Sequence, residues 1–175
     1  MKCSLIICTY KRPTALCTLL NSVEKQSLYP DEILVIDGSP DEQTKEILAQ
    51  RQYRNLQYYQ VTERDRGLTR QRNFGIRKVG DEAEIVCFLD DDTVLDATYF
   101  EEIIKAFHQH PEALGVGGYI YNEVQWEKTG PGKIFAGEFY FDGWKRKEGS
   151  RFVLRKRLGL DSDVPPGFMP KFGHG

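Results

Sequence analysis

Three features of the chain point to an α/β domain with a mostly parallel sheet flanked by helices. Short, unbroken apolar runs recur at Leu5-Ile6-Ile7-Cys8, Ile33-Leu34-Val35-Ile36 and Ile85-Val86-Cys87-Phe88-Leu89. Runs of this length without polar alternation mark strands buried on both faces. The segments between them carry the i, i+3, i+4, i+7 spacing of amphipathic helices, and strands alternating with helices build a parallel sheet covered on both sides. Polar and acidic residues follow the runs directly, at the carboxyl ends of strands where ligands gather in open α/β sheets.

The elements follow in order. After the first run, Pro13 opens a helix whose Leu16, Leu19, Leu20 and Val23 form one apolar stripe. The second run ends at Asp37-Gly38-Ser39-Pro40, and Asp41 is read as the cap of a helix that buries Ile47 and Leu48. Leu56 to Val61 is a third strand, and a helix is expected from about Gly67 to Lys78. The fourth strand runs into Asp90-Asp91-Asp92, and Asp96 is read as the cap of a last helix bearing Phe100, Ile103, Ile104 and Phe107. From about Thr129 the texture changes: 9 of 16 glycines and 4 of 8 prolines fall in the last 47 residues, so a loop-rich region is expected there. The organisation expected is an α/β region at 1–112, then a second, incomplete region at 113–175.

With 175 residues, one domain can bury about 70% of the surface its unfolded chain would expose. Charge is balanced, 24 basic residues against 26 acidic ones, which argues against nucleic acid as the main partner. Cys3, Cys8, Cys17 and Cys87 show no metal-ligand spacing, and three of them sit in apolar surroundings, as reduced core residues of a cytoplasmic protein would. No stretch approaches the roughly 20 apolar residues of a membrane span. Lys145 to Arg157 carries seven Lys or Arg. It reads as a solvated loop or as a peripheral contact with the anionic inner face of a membrane.

Asp90-Asp91-Asp92 is the strongest chemical signal. Strand geometry aims alternate side chains the same way, so Asp90 and Asp92 can face one point while Asp91 diverges, as far as the strand continues before bending into its loop. Two carboxylates about 6 Å apart repel by roughly 3 kcal/mol at an effective dielectric of 20, and a bound cation reverses that sign. Oxygen-only ligands suit Mg²⁺ or Mn²⁺, which completes its shell with water and substrate phosphates. The bland alternative is a solvated loop with a helix cap, although Asp96 already fills the cap role.

Thr9 and Tyr10 follow the first strand and Asp37 follows the second, so these groups are expected along one edge of the sheet. Tyr10 is read as a stacking surface for a base, and Asp37 as an acceptor from a base N–H or a ribose hydroxyl. Taken alone, Asp-Gly-Ser is an ordinary turn. Arg66, Arg70 and Arg72 surround a helix start, with Arg66, Arg70 and Asn73 sharing a face by helical spacing. Guanidinium groups in this setting match a diphosphate, with a solvated basic face as the competing reading.

Taken together and in this order, Ser4 to Pro13, Glu32 to Ser39, Gly67 to Gly75 and Phe88 to Asp92 resemble family 2 of the nucleotide-sugar glycosyltransferases, which have the GT-A fold. The resemblance runs from about Lys2 to Phe107. It implies that 1–112 binds a nucleoside-diphosphate sugar and that 113–175 begins the acceptor side. It further implies a nucleoside pocket lined by Thr9, Tyr10 and Asp37, an Arg72-Asn73 pair beside the nucleotide, and Arg70 as a neighbour. Asp90-x-Asp92 matches the D-x-D motif, with Asp92 and Asp90 as metal contacts and Asp90 and Asp91 toward the ribose and metal-bound water. One departure is visible: the family often has two acidic residues before its Gly-Ser, and here only Asp37 precedes Gly38.

The implied reaction is sugar transfer to an acceptor hydroxyl with inversion, in polysaccharide or glycolipid synthesis. The acceptor is a sugar or a lipid-linked molecule. Such transfer needs a general base. None of Glu123, Glu127, Glu138, Asp142, Glu148, Asp161 or Asp163 lies in a segment resembling the family's base motif, so the base is expected beyond Gly175, in a chain truncated at its C-terminus. Two rival readings stand beside this one. Asp90-x-Asp92-Thr93-Val94 also fits the signature of haloacid dehalogenase-type phosphatases, with Asp90 as nucleophile. The other rival is a nucleotide-binding remnant without turnover.

Overall fold

The computed structural model of the chain describes residues 1–118 and the backbone of 140–141, 144–145 and 151–155. Four parallel strands form its centre: β1 (Cys3–Thr9), β2 (Glu32–Asp37), β3 (Leu56–Gln60) and β4 (Ile85–Asp90). Helices α1 (Pro13–Val23), α2 (Gln43–Ala49), α3 (Leu68–Ile76) and α4 (Tyr99–Gln109) alternate with or follow them. A 3-10 turn at Glu63–Asp65 leads into α3. Strands β5 (Gly115–Gly118) and β8 (Arg151–Arg155) extend the same sheet, giving the order β3-β2-β1-β4-β8-β5. Strand β8 runs antiparallel to both β4 and β5. A separate short hairpin joins β6 (Tyr140–Phe141) to β7 (Trp144–Lys145).

The α/β architecture expected from the apolar runs is therefore present. Every residue of β1 is buried, and its alternate side chains feed two cores. Leu5 and Ile7 join Leu16, Leu19 and Leu20 of α1 and Phe100, Ile103 and Phe107 of α4. Ile6 and Cys8 face the other way, with Leu34, Ile36 and Phe74. The chain moves outward through β1, β2 and β3, then crosses back to place β4 on the far side of β1. Because crossovers are right-handed, that reversal puts α3 on the face opposite α1 and α2.

Two glycines set how α3 meets the sheet. Gly67 precedes the helix at φ 108°, a conformation that side chains with a Cβ rarely adopt. Gly75 lies against the sheet so closely that a Cβ there would stand 2.7 Å from Ile6 Cγ2. Gly75→Ala is expected to cost about 1–3 kcal/mol in denaturant unfolding, because Ile6 is held in the core. Unchanged stability would mean that α3 can lift off the sheet.

The helix starts differ slightly from the sequence expectation. Asp41 accepts from the Gln43 N–H at 3.2 Å and Asp96 accepts from the Thr98 N–H at 3.0 Å, each just ahead of its helix rather than at the N-cap itself. The Thr98 backbone and hydroxyl bonds hold the Asp96 carboxyl below its ordinary value. Strand β8 adds regular structure inside the region that composition marked as loop-rich. The basic side chains of Lys145 to Arg157 and the late carboxylates from Glu123 to Asp163 lie outside the described residues.

Candidate donor-binding site

Sheet order reverses between β1 and β4, which is where an open α/β sheet leaves a crevice at its carboxyl edge. A cleft of about 550 Å³ opens there, lined by Cys8, Thr9, Tyr10, Arg12, Arg66, Gly67, Leu68, Gln71 and the three aspartates. Tyr10 is 44% exposed, a large ring held at the surface by the turn that follows β1. The Arg66 guanidinium sits 5.8 Å from its centroid, within cation–π range.

The floor of the cleft is built by cross-strand hydrogen bonds. Gly38 N–H donates to the Thr9 carbonyl at 3.0 Å, tying the ends of β1 and β2 together. Gln71 is buried on α3 and its side-chain amide donates to the carbonyls of Thr9 at 3.0 Å and Ile36 at 2.7 Å. Its carbonyl accepts from Gly67 N–H, closing the helix start onto the same point. Arg66 Nε donates to the Gly38 carbonyl at 2.8 Å.

The acidic run does not follow strand alternation beyond Asp90. Strand β4 ends at that residue, and Thr93 N–H turns back to its carbonyl, so Asp91 and Asp92 lie in a turn. Two of the aspartates, Asp91 and Asp92, share one guanidinium partner, whereas alternation along the strand pointed to Asp90 with Asp92. Arg12 bridges that pair, with Nη1 2.9 Å from Asp91 Oδ1 and Nη2 3.1 Å from Asp92 Oδ2. Asp91 is buried and also accepts from the Thr9 hydroxyl at 2.7 Å. Burial pushes its carboxyl above the ordinary value, while Thr9 and Arg12 pull it back. Asp90 pairs instead with Arg72 at 2.9 Å, and that guanidinium also lies over the Phe88 ring. Burial pushes the neighbouring Cys8 thiol up to about 12, which disfavours its thiolate form.

The expected site residues divide into three groups. Thr9, Tyr10, Asp90, Asp91 and Asp92 meet at the cleft. Asp37 does not reach it: it is fully buried, and its oxygens accept from Ser39 N–H at 2.7 Å, Ser39 hydroxyl at 2.5 Å and Tyr58 hydroxyl at 2.9 Å. Ser39 Oγ in turn accepts from Lys11 N–H at 2.7 Å, so Asp37 supports the Tyr10-Lys11 turn from behind. Arg70 is exposed and donates to the Arg64 carbonyl, and Asn73 is half-buried away from the cleft lining. The shared face expected for Arg66, Arg70 and Asn73 fails because Arg66 has an extended backbone ahead of the helix.

Among the described residues, no three Asp, Glu, His or Cys side chains gather as a metal-ligand set. Two carboxylates converging on one cation are nonetheless the donor set that Mg²⁺ or Mn²⁺ uses when phosphates supply the rest. Asp91 and Asp92, bridged here by Arg12, are a carboxylate pair of that kind.

A second, open groove of about 570 Å³ runs along α2 and β3, with Lys45, Arg51, Arg54, Tyr53 and Tyr58 on its walls.

The parallel sheet with a cleft at its switch point is an architecture shared with known proteins. The chain belongs to glycosyl transferase family 2, whose family model matches residues 4–169. O-antigen chain rhamnosyltransferase RfbN of Salmonella typhimurium is 28% identical over 108 residues, 61% of this chain and 33% of that protein. S. aureus TarS, also solved with UDP-GlcNAc, matches with a TM-score of 0.66 at 23% identity, over 89% of this chain and 47% of that one. The mannosyltransferase PcManGT from Pyrobaculum calidifontis, solved with GDP-Man and Mn²⁺, matches with a TM-score of 0.56 at 23% identity, over 68% of this chain and 35% of that one. The architecture is the GT-A fold. The chain spans about a third to a half of the length of these relatives. Family membership replaces the phosphatase reading of Asp90. Among the described residues, no helix is long and apolar enough to cross a membrane.

Proposed function

We propose that the cleft between β1 and β4 binds the nucleoside diphosphate of a sugar donor, and that the chain is the donor-binding part of an inverting, metal-assisted glycosyltransferase. The carrying observation is the meeting of Tyr10, Arg66 and the Asp90 to Asp92 run on one cleft at the switch point of the sheet. Tyr10 offers the exposed ring on which a base stacks. Asp91 and Asp92 would hold Mg²⁺ or Mn²⁺, which when bound supplies Lewis-acid stabilisation of the departing diphosphate. Arg72 fixes Asp90, and Arg66 brings a positive charge to the same rim. Gln71 locks the floor, so the donor meets a preformed surface.

The acceptor hydroxyl would attack from the opposite face of the sugar, with the proton taken by a carboxylate outside the described residues. We place the product among polysaccharides or glycolipids, since the O-antigen enzyme RfbN is a relative. An acceptor held at a membrane surface would suit the basic segment Lys145 to Arg157. Calorimetric titration with UDP, GDP and dTDP, each with and without Mn²⁺, tests the donor site. One nucleotide is expected to bind far more tightly with the metal. Absence of binding by all three in both conditions would overturn the reading.

A further inference from the structure

Arg12 is the one cation in the cleft that both converging carboxylates share, yet nothing in the sequence marked it. Its side chain is half exposed and spans Asp91 and Asp92 with two separate nitrogens. The Thr9 hydroxyl holds the buried Asp91 from the strand side, independently of Arg12.

We infer that Arg12 is the resident counter-ion of the acidic pair, and that it must release Asp91 and Asp92 before a divalent cation can load. This inference rests on the donor-site reading above. Arg12 holds one oxygen of each carboxylate, and a divalent ion brought onto the same pair would lie close enough to the guanidinium for the two cations to repel each other. The released guanidinium needs a new anion. A diphosphate in the same cleft is the natural one, because the planar guanidinium fork matches phosphate oxygens. Arg12 thus couples the two events: the diphosphate draws Arg12 off the carboxylates, and the vacated oxygens take the cation. Metal and nucleotide then bind with positive cooperativity, each raising the other's affinity by the same factor.

The test is electron paramagnetic resonance of free Mn²⁺ during titration of the wild type, Arg12→Gln and Arg12→Lys, without nucleotide and with saturating UDP or GDP. Circular dichroism checks that the folds match. The wild type is expected to bind Mn²⁺ weakly alone, and Arg12→Gln at least about tenfold more tightly. Arg12→Lys should fall between, since a single ammonium keeps the charge without the bridge. Nucleotide should tighten Mn²⁺ binding at least about tenfold in the wild type, and by a smaller factor in Arg12→Gln, where only the phosphates' own ligation of the ion remains. Equal Mn²⁺ affinity of wild type and Arg12→Gln without nucleotide, with nucleotide still tightening both, would overturn the role of Arg12 and leave the donor site standing. Tight binding by Arg12→Gln with no nucleotide effect on the wild type would overturn the coupling. No Mn²⁺ binding in any protein or condition would overturn the metal reading and this inference together.

Discussion

Asp37→Ala is expected to lower the stability of the protein by about 3 kcal/mol or more, as measured by denaturant unfolding, since hydrogen bonds to a buried charge contribute roughly 1.5–3 kcal/mol each. Asp37 is fully buried and receives three donors, from the Ser39 backbone, the Ser39 hydroxyl and Tyr58. Alanine leaves those donors without an acceptor and opens a small void. The two partners can be removed separately. Tyr58→Phe and Ser39→Ala should each cost about 1–2 kcal/mol, and both should lose most of that effect in an Asp37→Ala background. Additive costs across the cycle would show that Asp37 is not their common anchor. The loss should also reach the cleft, because Ser39 holds the Lys11 N–H and Lys11 sits in a left-handed conformation at φ 53°. Freed from that bond, the turn no longer fixes Tyr10, and nucleotide affinity should fall in any fraction that remains folded.

Asp92→Asn is expected to act in the opposite way, removing metal-dependent nucleotide binding while sparing the fold. The Asp92 side chain is 50% exposed and its pairing with Arg12 lies at the surface. Exposed pairs of this kind are worth about 0–1 kcal/mol. Loss of one of two charged metal ligands should weaken nucleotide binding in Mn²⁺ by about thirtyfold or more, roughly 2 kcal/mol. Binding without metal should hardly change. A variant that kept the wild-type response to Mn²⁺ would remove Asp92 from the metal site. Asp90→Asn is the informative contrast, because it leaves the mostly buried Arg72 without its 2.9 Å carboxylate and should cost stability as well.

The strands and helices were legible because their signals are local. Leu5 to Cys8, Ile33 to Ile36 and Ile85 to Leu89 are buried on both faces, so each reads as an unbroken apolar run. The place of the site was legible for the same reason, since strand ends can be found wherever such runs stop. Its internal wiring was not. Arg12 meets Asp91 across 79 positions and Gln71 meets Thr9 across 62, and neither contact has a periodic signature. Gln71 did leave one trace: it stands four residues before Gly75, the spacing of one helix face pressed against a neighbour. Alternation speaks for the acidic run only while the strand lasts, and the turn begins one residue after Asp90. Asp37 was assigned to the ligand on its position at a strand end. Tyr58 and Ser39 claim its oxygens first, and Tyr58 comes from the neighbouring strand β3.

Magnetic resonance mapping of a nucleotide titration locates the donor site most directly. When UDP or GDP is added with Mg²⁺ to isotopically labelled protein, backbone amide shifts are expected at Tyr10, Lys11, Gly67, Leu68 and Asp90 to Asp92, the residues that surround the cleft or its entry turn. The groove walled by Lys45, Arg51 and Arg54 should stay silent. Shifts confined to that groove, with the ends of β1 and β4 unmoved at saturating nucleotide, would contradict the assignment of the cleft.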